Sequence, residues 1–354
     1  MKHNSLLKIL IVMSMHVATS CKTILVTGGA GFIGGHVVEH LLNRGDKVIA
    51  IDNFSITGHE SSDNYKALKT YRINQLLHNN NLTFYNVDIK NAAALEDVVK
   101  NHQIDVICHL AARAGVRPSV EDPAEYMQVN IVATIHILEL AKKYNIPHVV
   151  LASSSSVYGN QEQGPFFEIQ NTDAQTSPYG ASKKALELIA YVYYHLYNIS
   201  CSCLRFFTVY GPYGRFDMAP FIFLDAIYNE QPITVVGDGS AVRDFTYVDD
   251  IVNGIIKAID KPAAFQVFNL GCSDPVILHD FINIIESVVG KKAILLYEPA
   301  SLADVQLTHA NVDKAYEILG YVPSVTVQEG MRRTYEWYQN IYLPTISRNK
   351  GKVA

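Results

Sequence analysis

The stretch KTILVTGGAGFIGGHVVEHLLNRGDKVIAIDNFS, residues 22–55, restricts the possible folds more than any other part of the chain. It reads as a buried strand over Ile24–Val26, a turn of small residues, an amphipathic helix ended by Gly45, and a second strand over Val48–Ile51. Gly28, Gly31 and Gly34 stand three apart, with Phe32 and Ile33 between the last two. The first glycines permit a tight turn and let a pyrophosphate approach the backbone, and Gly34 lets the helix pack close to the strand. Free N–H groups of the first helical turn then face the phosphates. Asp52 closes the second strand 18 positions after Gly34, where a carboxylate accepts adenosine ribose hydroxyls and repels a 2′-phosphate. No Arg or Lys follows before Lys66, so the pattern predicts NAD rather than its 2′-phosphorylated form. On the same helix, HVVEH (36–40) matches the H-x-x-E-H zinc pattern. That helix already has to pack behind the glycine turn, so the expectation is one buried histidine, one solvated histidine and no metal.

Strand and helix patterns keep alternating. LTFYNVDIK reads as a strand ending at Asp88, a residue placed to meet the adenine amino group. DVICHLAA reads as a strand ending in Leu110, Ala111 and Ala112, where a cofactor can lie close. PAEYMQVNIVATIHILELAKKYN has helical spacing, and HVVLASSSSVYG reads as a fifth strand. This alternation predicts an α/β fold, a Rossmann-type doubly wound parallel sheet, whose ligands lie at the carboxyl ends of the strands. The run Ser153–Ser156 sits at such an end. With 49% hydrophobic and 18% charged residues and a net charge of −5, the chain has the profile of a soluble globular protein and gives no reason to expect nucleic-acid binding. Five cysteines without a C-x-x-C pair read as free thiols of a reducing compartment, with Cys201 and Cys203 on one strand face. Residues 1–21 carry a lysine, an apolar run and small residues before Cys21, imitating a lipoprotein-type signal. The run is too short and interrupted for a membrane span. The expectation is a cytoplasmic protein with an N-terminal extension, export or anchoring being the alternative, as is a start at Met13 or Met15.

In SPYGASKKALELIAYVYYHLYN, Pro178 suits a first helical turn and Ser177 suits its cap. Tyr179 and Lys183 are then i and i+4 on one face, and an ammonium beside a phenol lowers its pKa, making a base for an alcohol proton. With this pair in place the chain resembles the extended short-chain dehydrogenase/reductases of the NAD-dependent epimerase/dehydratase family, from about Thr23 to about Tyr338. TGGAGFIG, HLAA, SSSSVYG, SPYGASK, LRFFTVYGPYGRFDM and RDFTYVDDI carry the resemblance. Within the family it most resembles the UDP-glucuronate 4-epimerases, with Phe216 in place of a usual proline and Arg113 in place of a usual glutamine.

The resemblance implies roles. Tyr179 takes the proton of a sugar 4-hydroxyl, Lys183 holds the nicotinamide ribose, and Ser154 hydrogen-bonds the reacting oxygen. Asn53, Asn130 and Phe206, beside Ile89 and the residues named above, belong to the cofactor site. Arg117, Ser155, Ser156, Thr208, Arg215, Arg243 and Asp304 belong to a UDP-sugar site. Family dehydratases and decarboxylases carry carboxylates where this chain has Ser155 and Ser156, which leaves epimerisation; the serines would also accept a substrate carboxylate. A smaller C-terminal substrate domain interleaves with the first: 22–210 for NAD, with returns near 244–272, then 211–340 mostly for substrate, and a tail over 341–354. A homodimer through a four-helix bundle is expected from IVATIHILELAKKY and ALELIAYVYYHLY. Two other readings stay open: 4-epimerisation of UDP-glucose or UDP-N-acetylglucosamine, and a silent NAD-binding scaffold.

Overall fold

The computed structural model describes residues 21–56, 62–299 and 305–350; the signal-like segment before Cys21 lies outside them. Seven strands form one parallel sheet: β1 (Thr23–Thr27), β2 (Lys47–Asp52), β3 (Leu82–Asn86), β4 (Val106–His109), β5 (His148–Ser154), β6 (Ser200–Phe206) and β11 (Phe265–Leu270). Their order is β11-β6-β5-β4-β1-β2-β3, so the chain winds outward from β1, returns to β4 and winds the other way. The crevice between β1 and β4 is the topological switch point, the expected binding place in such a sheet.

Alternation within each strand builds the layers. Ile24 and Val26 of β1 face one core, with α1 (Phe32–Arg44), α2 (Ser62–Leu76) and α9 (Val248–Asp260). Leu25 faces the other, with α3 (Ala92–Val99), α6 (Ala133–Lys143) and α7 (Pro178–Tyr197). Helix α1 packs on α9, where Asp260 takes ion pairs from Arg44 at 2.5 Å and Lys22 at 3.1 Å. Beyond β6 come three two-stranded sheets: β7 (Thr208–Tyr210) with β10 (Phe245–Tyr247), β8 (Pro232–Val236) with β13 (Ile294–Glu298), and β9 (Val242–Arg243) with β12 (Val276–Ile277). Helices α8 (Ala219–Tyr228), α10 (Leu278–Val289), α11 (Asp313–Leu319), α12 (Val327–Trp337) and α13 (Leu343–Lys350) complete this part, and α13 lies against α2.

Three expected boundaries shift. Strand β3 stops at Asn86, so Asp88 stands in the following loop, and β4 stops at His109, ahead of Leu110. Strand β5 ends at Ser154, and Ser155–Tyr158 form a 3-10 turn, dividing the serine run between two conformations. The segment 123–143 is helical throughout, as its spacing predicts, but not uniformly α. It is α5 (Pro123–Met127), a π-helical turn (Gln128–Val132) and α6; short α4 (Val116–Glu121) precedes it. Cys108, Cys201 and Cys203 are buried free thiols.

Candidate active site

The glycine turn is built as its spacing requires. Gly28 takes φ +72°, and Gly31 donates its N–H to Gly28 O at 2.9 Å. A Cβ on Gly34 would lie 2.0 Å from Gly28 O. Gly31 caps α1 without a side chain, and no acidic residue occupies the first turn. Uncapped N–H groups beside a backbone cradle that a Cβ would fill suit a pyrophosphate. Gly34→Ala should therefore remove tight NAD binding, checked as nucleotide released on denaturing the purified protein; stoichiometric NAD in this variant would contradict the reading.

Asp52 is buried at the end of β2. Its Oδ2 accepts the Ala30 N–H at 3.2 Å and its Oδ1 the Phe54 N–H at 2.7 Å. Although no Arg or Lys follows Asp52 in sequence before Lys66, the fold brings a cation from further on. Lys69 arrives from α2, with Nζ 3.3 Å from Asp52 Oδ1. Asn53 donates to Asp88 Oδ2 at 3.0 Å, joining the two loops at the outer end of the site.

A cavity of about 310 Å³ runs from Asp52 and Asp88 past the glycines to Lys183, Tyr179 and Arg215. Every residue expected to hold the cofactor lines it except Asn130. The Asn130 carboxamide is consumed elsewhere: it accepts the Arg113 N–H at 2.8 Å and donates to Arg113 O and Ser182 Oγ, both at 2.9 Å. Asn130, carried on the π-helical turn, positions the loop after β4.

At the inner end, Ser177 caps α7 by accepting the Gly180 N–H at 3.1 Å. Tyr179 and Lys183 share the cavity wall, as the spacing predicts. Their electrostatics differ from the expectation. Lys183 Nζ donates to Ala152 O at 2.7 Å, and burial lowers its pKa to about 8. Burial raises the Tyr179 phenol, while a hydrogen bond with Ser154 and the charge of Arg215 pull it down. The cation acting on the phenol in this structure is thus Arg215; Lys183 is turned to a carbonyl. Between about 8 and the ordinary 10.5, the unfolded chain keeps a Lys183 proton that the folded one lacks. This group's contribution to stability therefore rises as pH rises through that window. In nucleotide-free protein, NMR titration of the Lys183 amine should give a midpoint near 8; an unshifted amine would refute it.

The four serines part company. Ser153 Oγ donates to buried Glu187 Oε1 at 2.6 Å. Ser154 Oγ accepts the Ser156 N–H at 3.1 Å and meets Tyr179, but Ser153, not Ser154, lines the cavity. Ser155 and Ser156, half-buried in the 3-10 turn, do not line the cavity. Arg215 lines it, held by Asp217 at 2.5 Å and by Ala114 O at 3.0 Å. The other expected substrate residues lie outside its wall. Arg243 donates to the carbonyls of Val305 and Gln306, Thr208 is half-buried on β7, and Arg117 is exposed on α4. Asp304 lies outside the described residues. His36, half-buried, donates to Pro212 O at 2.9 Å, and His40 is exposed.

The sequence reading missed Tyr65 and Lys69 of α2, and Lys90, Glu125 and Asp217, all in the wall. A signal existed for the first two: YKALK repeats the Tyr-to-Lys spacing of i, i+4. Phe216, noted only as a departure from proline, also lines the wall. Its ring stands 4.9 Å from Tyr65 and 4.2 Å from Phe221, joining α2 to the C-terminal part.

Comparison with known proteins gives a consistent picture. Residues 24–271 match the model of the NAD dependent epimerase/dehydratase family. A UDP-glucuronate 4-epimerase of Thermodesulfobacterium geofontis is 44% identical over 315 residues, covering 88% of this chain and 95% of the relative. UDP-glucuronate 4-epimerase 4 of Arabidopsis thaliana is 41% identical over 340 residues, covering 90% of this chain and 76% of the relative. The crystal structure of the Bacillus cereus UDP-glucuronic acid 4-epimerase with UDP-glucuronic acid and NAD superposes with a TM-score of 0.83 at 34% identity, over 90% of this chain and 100% of the other.

Proposed function

Because this chain belongs to the NAD-dependent epimerase/dehydratase family, we propose that it is an NAD-dependent UDP-sugar 4-epimerase whose substrate pair is UDP-glucuronate and UDP-galacturonate. The carrying observation is that Tyr179 and Lys183 share the inner wall of a cavity that begins in a glycine cradle, with Ser154 hydrogen-bonded to Tyr179 behind that wall. NAD, when bound, supplies reversible oxidation at C4. Tyr179 takes the 4-hydroxyl proton and later returns it to the same oxygen. Ser154 holds that oxygen, and the hydrogen bond that tunes Tyr179 also orients it. Lys183, once released from Ala152 O, is within the wall to hold the nicotinamide ribose and to favour the phenolate. The ketosugar turns over in the site, so the opposite face receives the hydrogen.

Ser155 and Ser156 support the choice of a uronic acid and of epimerisation. Neither residue supplies an acid or base for expelling water, and from just behind the cavity wall their hydroxyls could donate to a carboxylate. A 4-keto uronic acid loses carbon dioxide readily, and hydroxyls that hold its carboxylate out of line with the ketone suppress that loss. Arg215 and Arg243 are assigned to the diphosphate, Thr208 to the sugar side and Arg117 to the substrate site. Residues 22–210, with returns near 244–272, form the NAD part, and most of 211–340 the substrate part.

The test is incubation with UDP-glucuronate and no added NAD. UDP-galacturonate without carbon dioxide is expected. Turnover of UDP-glucose or UDP-N-acetylglucosamine alone would transfer the assignment to a neutral sugar, and no turnover of any would favour the silent scaffold.

The proposed assembly is a homodimer. Leu188, Val192 and Leu196 repeat every four residues along α7 and are 57%, 47% and 59% exposed. Such a stripe on a helix beside α6 suits a self-complementary four-helix contact. Light scattering should give twice the chain mass for the native protein and the chain mass for Leu188→Glu/Leu196→Glu; a native monomer would refute the dimer.

A further inference from the structure

We propose that Lys69 is a specificity-determining residue: with Asp52 it reads the 2′ position of the adenosine ribose, and it constitutes a latent site for a 2′-phosphate. The inference rests on the assignment of the cavity to NAD. Lys69 Nζ lies 3.3 Å from Asp52 Oδ1 and donates to Ser55 O at 3.0 Å. The side chains are 10% and 5% exposed, and both line the outer half of the cavity. Among described residues, the carboxylate also holds the Ala30 and Phe54 N–H groups, so its orientation does not depend on Lys69.

The two charges prefer different ligands. A carboxylate accepts from ribose hydroxyls and repels a phosphate; an ammonium attracts a phosphate and gains little from a hydroxyl. While Asp52 is ionised, the pair is close to neutral and the hydroxyl is favoured. Removal of the carboxylate charge leaves a nearly buried ammonium without its counter-ion, at the place where NADP carries its extra phosphate. The discrimination between NAD and NADP thus belongs to the pair, and a single substitution at Asp52 shifts it toward NADP.

The helix that carries Lys69 has other anchors. Arg72 donates to Phe32 O at 3.0 Å, and its guanidinium occupies the space where a Cβ on Gly35 would stand at 2.7 Å. Tyr65 packs on Phe216. Loss of the lysine charge therefore leaves α2 in place, and a Lys69 variant reports on charge at the ribose.

The experiment is calorimetric binding of NAD and NADP to the nucleotide-stripped full chain, with melting temperatures as a check on folding. Asp52→Asn is expected to bind NADP at least about tenfold more tightly than the native protein does, the scale of one charge contact near a surface. Asp52→Asn/Lys69→Met is expected to lose that gain. Lys69→Met alone is expected to weaken NADP several times more than NAD, which keeps the test open if Asp52→Asn does not fold. A gain that survives in the double variant, or a Lys69→Met effect equal for both nucleotides, would overturn the proposal and leave Lys69 as a helix tether. A native protein that binds neither nucleotide would overturn the cavity assignment itself; NAD binding with no NADP gain in Asp52→Asn would overturn this inference alone.

Discussion

Tyr179→Phe is expected to lower kcat with UDP-glucuronate by about 10³-fold, within the usual range for a positioned proton-transfer group, while bound NAD stays stoichiometric. The substitution deletes one oxygen and keeps the ring, whose edge contact with Tyr126 at 6.2 Å is retained. The Tyr179 backbone also stays fixed, since its N–H is held by Ser119 Oγ at 3.1 Å and α7 keeps its Ser177 cap. The loss should appear in kcat rather than KM, because the phenol acts on a proton in flight. Steady-state kinetics beside the nucleotide content of the same preparation decides it. A variant retaining turnover within about tenfold of the native value would remove Tyr179 from the proton-transfer role.

Glu187→Ala is expected to cost about 3–5 kcal/mol of stability, the typical result of removing one partner from a buried ion pair. Glu187 stands one turn beyond Lys183 and meets Arg205 of β6 in a fork, with Nε–Oε1 and NH2–Oε2 both 2.8 Å. The side chains are 4% and 3% exposed. Ser153 adds a hydroxyl donor to the same carboxylate, and the guanidinium lies 4.8 Å from the Tyr158 ring centre. Without Glu187 the arginine charge remains in the core. Urea unfolding should show the midpoint fall steeply for Glu187→Ala and much less for Glu187→Leu/Arg205→Met, which replaces the pair by apolar volume. Equal losses in the two variants would mean that packing, not uncompensated charge, sets the cost.

These residues mark where sequence patterns suffice. Gly28, Gly31, Gly34 and Asp52 were legible because their spacing follows from one local unit of strand, turn and helix. Tyr179 and Lys183 were legible because i and i+4 share a helical face. Lys69 was not, since its meeting with Asp52 depends on how α2 crosses the site, and no local period encodes that crossing. Arg205 and Glu187 were hidden for the same reason; each reads as one polar residue in an apolar pattern until the strand and helix are packed. The π-helical turn at Gln128–Val132 escaped because one additional residue per turn barely disturbs an apolar spacing. The upward shift of the Tyr179 phenol was not legible because it comes first from burial, which depends on packing, and the sequence showed Lys183 but not the Ala152 carbonyl that holds it.

The packing of α1 on α9 has a consequence for the order of events during synthesis. Val37, Val38 and Leu41 of the first helix are fully covered in the core that also contains Ile251, Ile255 and Ile259. The Arg44–Asp260 bridge that closes this layer spans 216 residues. At ribosomal rates of about 5–20 residues per second, that separation amounts to about 10–40 s of elongation. Throughout that interval the nascent nucleotide-binding element can pack α1 on β1, β2 and α2 but lacks the cover that α9 supplies. The earliest part of the site to be made is thus among the last to be sealed, and the interval closes only with α9, after Tyr179 and Lys183 have been made.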